Sequence, residues 1–174
     1  MKKMTIIFVL LLLVSCSSDS ENNNSTSKGE VELVTGINIR SSEYSEVTRL
    51  GNPNVFTKNQ FVVFPNPLAR PYLSVKSSVN ISDAWVISAN AEKTQQQADF
   101  SSILNSDYYN ESEIELNAKM EFIDVNSTNL ILNLENLSSG YYKVFVKING
   151  NLYWDNIFLQ GNDLDVDDLI NYWD

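Results

Sequence analysis

Residues 140–159, GYYKVFVKINGNLYWDNIFL, decide the fold class of this chain. Side chains alternate with period two: Tyr142, Val144, Val146 and Ile148 fall on one face, and Lys143, Phe145 and Lys147 on the other. Asn149-Gly150 follows, and both residues accept the positive φ that the two central positions of a type I′ turn require. A second alternating run, residues 151–159, completes a β-hairpin.

Upstream, the same period recurs in short pieces. ELVTGINIR (32–40), QFVVFP (60–65), YLSVKSSV (72–79), DAWVISA (83–89), IELNAKMEFIDV (114–125) and TNLILNLEN (128–136) each read as strands. Asn, Ser, Gly and Pro clusters separate them, without intervening helices of useful length, which predicts an all-β antiparallel sandwich. AEKTQQQADFSSIL, residues 91–104, is the one internal stretch of helix-forming composition, expected as a short helix or a long crossover loop. Glu111, Glu113 and Glu115 alternate and would share one strand face, as a solvated edge or as a carboxylate pair.

Two stretches carry a family resemblance. FVVFPNPLARPYLSV places Pro65-Asn66-Pro67 directly after a strand, and NLENLSSGYYKVFVKINGNLYWDNIFL sets a Leu-x-x-Leu run and Ser-Ser-Gly before the closing hairpin. Together they resemble the sandwich-type C-terminal sorting domain of the type IX secretion system of Bacteroidota, over about residues 61–159. The resemblance implies an immunoglobulin-like sandwich. Chemically, the prolines end a hydrogen-bonded ladder, Asn66 tolerates the turn between them, and Gly140 lets the chain turn into the last hairpin. These are structural roles first.

The amino-terminal segment reads as an address. Lys2 and Lys3 precede an uninterrupted apolar run, Ile6 to Val14, whose nine residues suit a secretory leader; a spanning helix needs about 20. Leu13-Val14-Ser15-Cys16 then resembles the lipobox of bacterial lipoproteins. That resemblance implies cleavage after Ser15, a lipid on Cys16, and anchoring in a membrane by several acyl chains. Residues 17–30 lack apolar side chains and read as a flexible tether. Within them, Asp19 and Glu21 resemble the acidic export signal of surface lipoproteins in Bacteroidota. The expected organisation is therefore a leader (1–15), a lipidated tether (16–30), a sandwich (31–160) and an acidic tail (161–174). The expected location is the outer membrane, facing outward.

Composition narrows the chemistry. The chain has no histidine and one cysteine, and loss of Lys2 and Lys3 would deepen a net charge of −10. That balance disfavours nucleic acid as a partner. With Cys16 acylated, Ser-His or Cys-His triads and His/Cys zinc sites are excluded, and the scattered glycines form no phosphate loop. No catalytic residue and no cofactor are expected. In the tail, Asp163, Asp165, Asp167 and Asp174 match oxygen positions of a calcium loop, but Asp168 stands where that loop needs Gly. The competing reading is a short amphipathic C-terminal helix. Trp85 and Trp154 are candidate stacking platforms for a glycan, or else core residues. The partner is thus an envelope protein or a glycan, besides the membrane reached through Cys16; a periplasmic accessory role in secretion, gliding or envelope assembly is the third alternative.

Overall fold

The closing hairpin pairs from Gly140↔Leu159 to Ile148↔Asn151 without a register shift. Its turn residues, Asn149 and Gly150, have φ of 51° and 77°, the left-handed pair that a type I′ turn demands. The computed structural model describes residues 30–53, 55, 60–94, 108–161 and 166–174. Its strands are β1 (Leu33–Val34), β2 (Gly36–Ile39), β3 (Thr48–Gly51), β4 (Phe61–Phe64), β5 (Tyr72–Ser88), β6 (Asn90–Ala91), β7 (Ala118–Phe122), β8 (Ser127–Asn133), β9 (Gly140–Ile148) and β10 (Asn151–Leu159). Two short helices accompany them, α1 (Glu111–Asn117) and α2 (Val166–Trp173). The protein is all-β. Among the described residues no helix is long and apolar enough to cross a membrane. Residues 95–104 of the expected helix or crossover lie outside the described residues.

The two runs expected as separate strands, YLSVKSSV and DAWVISA, form one strand of 17 residues, β5. Its first half pairs with β4 on one side and β8 on the other. Its second half pairs with β9 and β7, and β10 extends the sheet beyond β9. Between the halves, Ser78, Val79 and Asn80 are exposed, and the register with β9 shifts between Ile81 and Asp83. That irregularity changes the parity of the strand. Leu73 and Val75 point to the core from the first half, Ala84 and Val86 from the second, so odd positions give way to even ones. The sheet curls, and both halves bury their side chains in one cluster with Leu132, Val144, Val146, Ile148 and Ile157.

The outer face of β5 and β9 is buried as well. Trp85, Ile87, Phe145 and Trp154 pack with Val31, Tyr109 and Ile114 in a second cluster. A third joins Val34, Ile37 and Phe158 to Leu169 and Trp173 of α2. Here the amphipathic reading of the tail is seen, with Asp167 and Asp168 in the first turn of α2, where acids suit the helix dipole.

One expected strand is corrected. Glu111 to Asn117 is helical because Asn110 caps it, its side chain accepting from the Ser112 N–H at 3.0 Å, with Glu111 and Glu113 in the first turn. Only the following Ala118–Phe122 is a strand. Glu111, Glu113 and Glu115 therefore do not line a strand face. Glu111 instead binds the Lys147 ammonium at 2.6 and 2.9 Å.

Asn66 joins these parts. It lies between the Phe64–Pro65 and Asn66–Pro67 peptides, both cis, and is 1% exposed. Its backbone exchanges two 2.7 Å hydrogen bonds with Arg40. Its side-chain amide donates to the Asn38 and Asn156 carbonyls at 2.7 and 2.8 Å, while its oxygen accepts from the Phe158 N–H at 3.0 Å. Asn66→Ala strands three buried backbone groups, so we expect a loss of roughly 3 kcal/mol. Urea unfolding of the variant checks this. A loss under about 1 kcal/mol would show that water replaces the amide at little cost.

Candidate functional site

The row of β10 that faces the core reads Tyr153, Asp155, Ile157, Leu159. An acid in an apolar row needs a reason. Asp155 is 8% exposed and reaches the floor of a cleft of about 960 Å³, which opens between the β2–β3 hairpin, β4 and the first half of β5. One carboxylate oxygen accepts from the Asn156 N–H at 2.9 Å and from the Asn38 amide at 3.3 Å. The other has no partner among the described residues. Burial pushes the carboxyl up to about 7, opposed by those two donors and by the nearby Arg40 charge.

Cations dominate the walls. Arg40, Arg49 and Lys76 line the cleft with Asn129. Lys76 binds Glu43 at 2.6 Å, which holds the Glu43 carboxyl below its ordinary range and the Lys76 ammonium above it. Arg40 and Arg49 form no ion pair among the described residues. On an acidic chain, this is a local reversal of charge. Tyr44 stands on the rim, 90% exposed.

A second buried charge lies on the opposite face of the sheet. Lys143 is fully buried in β9 and donates to the Leu33 carbonyl at 2.8 Å, the Tyr109 hydroxyl at 2.9 Å and the Glu30 carbonyl at 3.5 Å. Its ammonium sits 4.8 Å from the centre of the Tyr109 ring. Burial lowers its pKa to about 7, partly opposed by the Glu30 charge. The lysine thus fastens the amino-terminal segment and Tyr109 to the middle of the sheet.

Among the described residues, Trp85, Trp154, Asp167 and Asp174 are the predicted site residues that can be placed, and the two acids do not stand beside the tryptophans. Trp85 and Trp154 are 1% and 3% exposed; Trp154 is covered by a parallel Tyr108 ring at 5.7 Å. Neither indole offers a face to a sugar, because second-layer residues occupy it. Asp167 and Asp174 bracket most of α2, about 10 Å apart along its axis, so a helix stands where the calcium loop would wrap. Asp163 and Asp165 lie outside the described residues, as do Ser15, Cys16, Asp19 and Glu21. Among the described residues no three acidic, histidine or cysteine side chains gather as metal ligands.

Sequence reading missed Asp155 and Lys143. A signal existed for Asp155, an acid breaking an otherwise apolar alternation in β10. For Lys143, the neighbouring Phe145 on the supposed outer face was the available sign that this face is covered. No family model, curated protein or solved structure matches this chain.

The two buried groups oppose each other in stability. Asp155 ionises near 3.8 unfolded and near 7 folded, so its contribution is full below pH 3.8 and lost as pH rises to about 7. Lys143 loses its proton near 10.5 unfolded and near 7 folded, so its contribution is full above pH 10.5 and lost as pH falls to about 7. We expect the urea midpoint to fall from pH 4 to 7 and to rise from pH 7 to 10. Asp155→Asn should flatten the first limb and Lys143→Met the second. Limbs unchanged in the variants would assign the pH dependence to other groups.

Proposed function

We propose that this chain is a lipid-anchored protein of a Bacteroidota-type outer membrane, displayed outward on a flexible tether, whose immunoglobulin-like β-sandwich serves as a non-catalytic binding module. The observation that carries the reading is Leu13-Val14-Ser15-Cys16 following a charged start and a nine-residue apolar run. The polar stretch behind it, with Asp19 and Glu21, supplies a tether and an export address.

The sandwich assignment has its own support. A sheet whose halves face one core is how two layers arise from a single bent strand. The Tyr142 hydroxyl donates at 2.7 Å to the Ser138 carbonyl, four residues upstream at the start of β9, the arrangement known as a tyrosine corner in immunoglobulin-like folds. Pro65-Asn66-Pro67 and the Leu134–Gly140 approach to the hairpin resemble sorting-domain stretches and occupy tightly bonded positions here.

The cleft supports a binding role: Arg40 and Arg49, which form no ion pair among the described residues, line it together with the buried acid Asp155. Growth with labelled palmitate tests the anchor. We expect label on the wild type and none on Cys16→Ala, with the variant released from the membrane fraction; undiminished label would refute the lipid site. Protease shaving of intact cells then decides which membrane face the domain occupies.

A further inference from the structure

Asp155 and the two arginines make conflicting demands on any single simple ion. A plain polyanion would satisfy Arg40 and Arg49 but meet the acid at the floor. A cation would do the reverse. A ligand carrying both hydrogen-bond donors and an anionic group satisfies all three.

Size and lining select among such ligands. The cleft, about 960 Å³, exceeds by several-fold what a free amino acid fills, and pockets for drug-sized ligands run about 300–1,000 Å³. Between floor and rim its walls carry small hydroxyl and amide side chains, Ser77, Thr128 and Asn129 among them. Such groups exchange hydrogen bonds with a polyhydroxylated chain. Tyr44, exposed on the rim, offers a ring face for a pyranose to stack on. Guanidinium forks suit a planar carboxylate.

We propose that this cleft binds a carboxylate-bearing saccharide, Arg40 and Arg49 gripping the acid group and Asp155 accepting from ring hydroxyls. The inference rests on reading the chain as a binding module, and it names the ligand class of that module. It places the ligand away from Trp85 and Trp154, which stay in the core. Asp155 selects as well as binds. Its free oxygen would be left buried against any anion lacking donors, which penalises sulfate, whereas phosphate offers at most its one or two P–OH groups and no ring for Tyr44.

The test is titration calorimetry on the full lipidated chain in detergent micelles, with trigalacturonate, its methyl ester, and inorganic phosphate as probes. We expect trigalacturonate to bind, and the ester and phosphate to bind at least about 10-fold more weakly. Arg49→Gln, on an exposed strand position, should weaken trigalacturonate about 10-fold while leaving the circular dichroism and melting temperature unchanged. Asp155→Asn should weaken both the acid and the ester, because it removes the acceptor that both share. Equal binding of acid and ester, tighter binding of phosphate, or an Arg49→Gln variant that binds as wild type would overturn the proposal. So would absence of binding to tri-uronates of galacturonic, glucuronic and mannuronic type at about 5 mM. Repeating the titration on Cys16→Ala separates the two readings. Binding retained without label supports the cleft alone, whereas label without binding overturns the cleft and leaves the anchor standing.

Discussion

A 17-residue strand is about 55 Å long when straight, well beyond the width of one small hydrophobic core. β5 must therefore bend, and the bend must also switch which parity of residue points inward. The irregularity around Ser82 does both. Without the switch, Ala84 and Val86 would face outward and Asp83 and Trp85 would exchange places with them. β4 and β8 flank one half, β7 and β9 the other. Every other strand of the large sheet is placed by reference to this one. The polar, exposed Ser78-Val79-Asn80 segment is what a bent strand needs at its outer corner, where neither half offers apolar cover.

Among the five polar side chains buried in the described residues, Asn66, Lys143 and Asp155 are held in three different ways. Asn66 is fully satisfied by backbone groups from two other segments and behaves as a neutral pin. Lys143 directs its ammonium to two carbonyls and a phenol, donors matched to acceptors but with no countercharge in contact. Asp155 keeps one oxygen open to the cleft. The hydrogen bonds of a pin contribute roughly 1 kcal/mol each, whereas burying a charge costs several. Only the first arrangement favours stability outright. The other two cost the fold stability, and one of them lines the cleft of about 960 Å³.

The fold class was legible because the hairpin signal is local: alternation and Asn-Gly act within a few residues. The bend in β5 was not, since Asn80-Ile81-Ser82 reads as a break between two strands unless the partners on either side are known. α1 was misread because the alternation of Glu111, Glu113 and Glu115 outweighed the cap at Asn110 in a purely periodic reading. Leu116, 85% exposed, is the price of that helix; in a strand it would have shared a face with Ile114. The cleft was invisible for a different reason. Arg40, Arg49, Lys76 and Asp155 come from four strands or their ends, and no spacing within the chain links them. Burial of Trp85 and Trp154 depends likewise on Tyr109 and Ile114, which arrive from a separate segment.

The proposed amino-terminal attachment has a mechanical side. Any force applied through the residues before Glu30 enters the domain at β1, which is held by two hydrogen bonds to the β6 segment, 2.8 and 2.9 Å, and by Lys143 on the Leu33 carbonyl. That puts the point of loading at mid-sheet, far along the chain from the hairpin turn at Asn149-Gly150. A charged donor grips a carbonyl roughly twice as hard as a neutral one. Because burial lowers the Lys143 pKa to about 7, the strength of this mooring changes with the acidity of the surroundings.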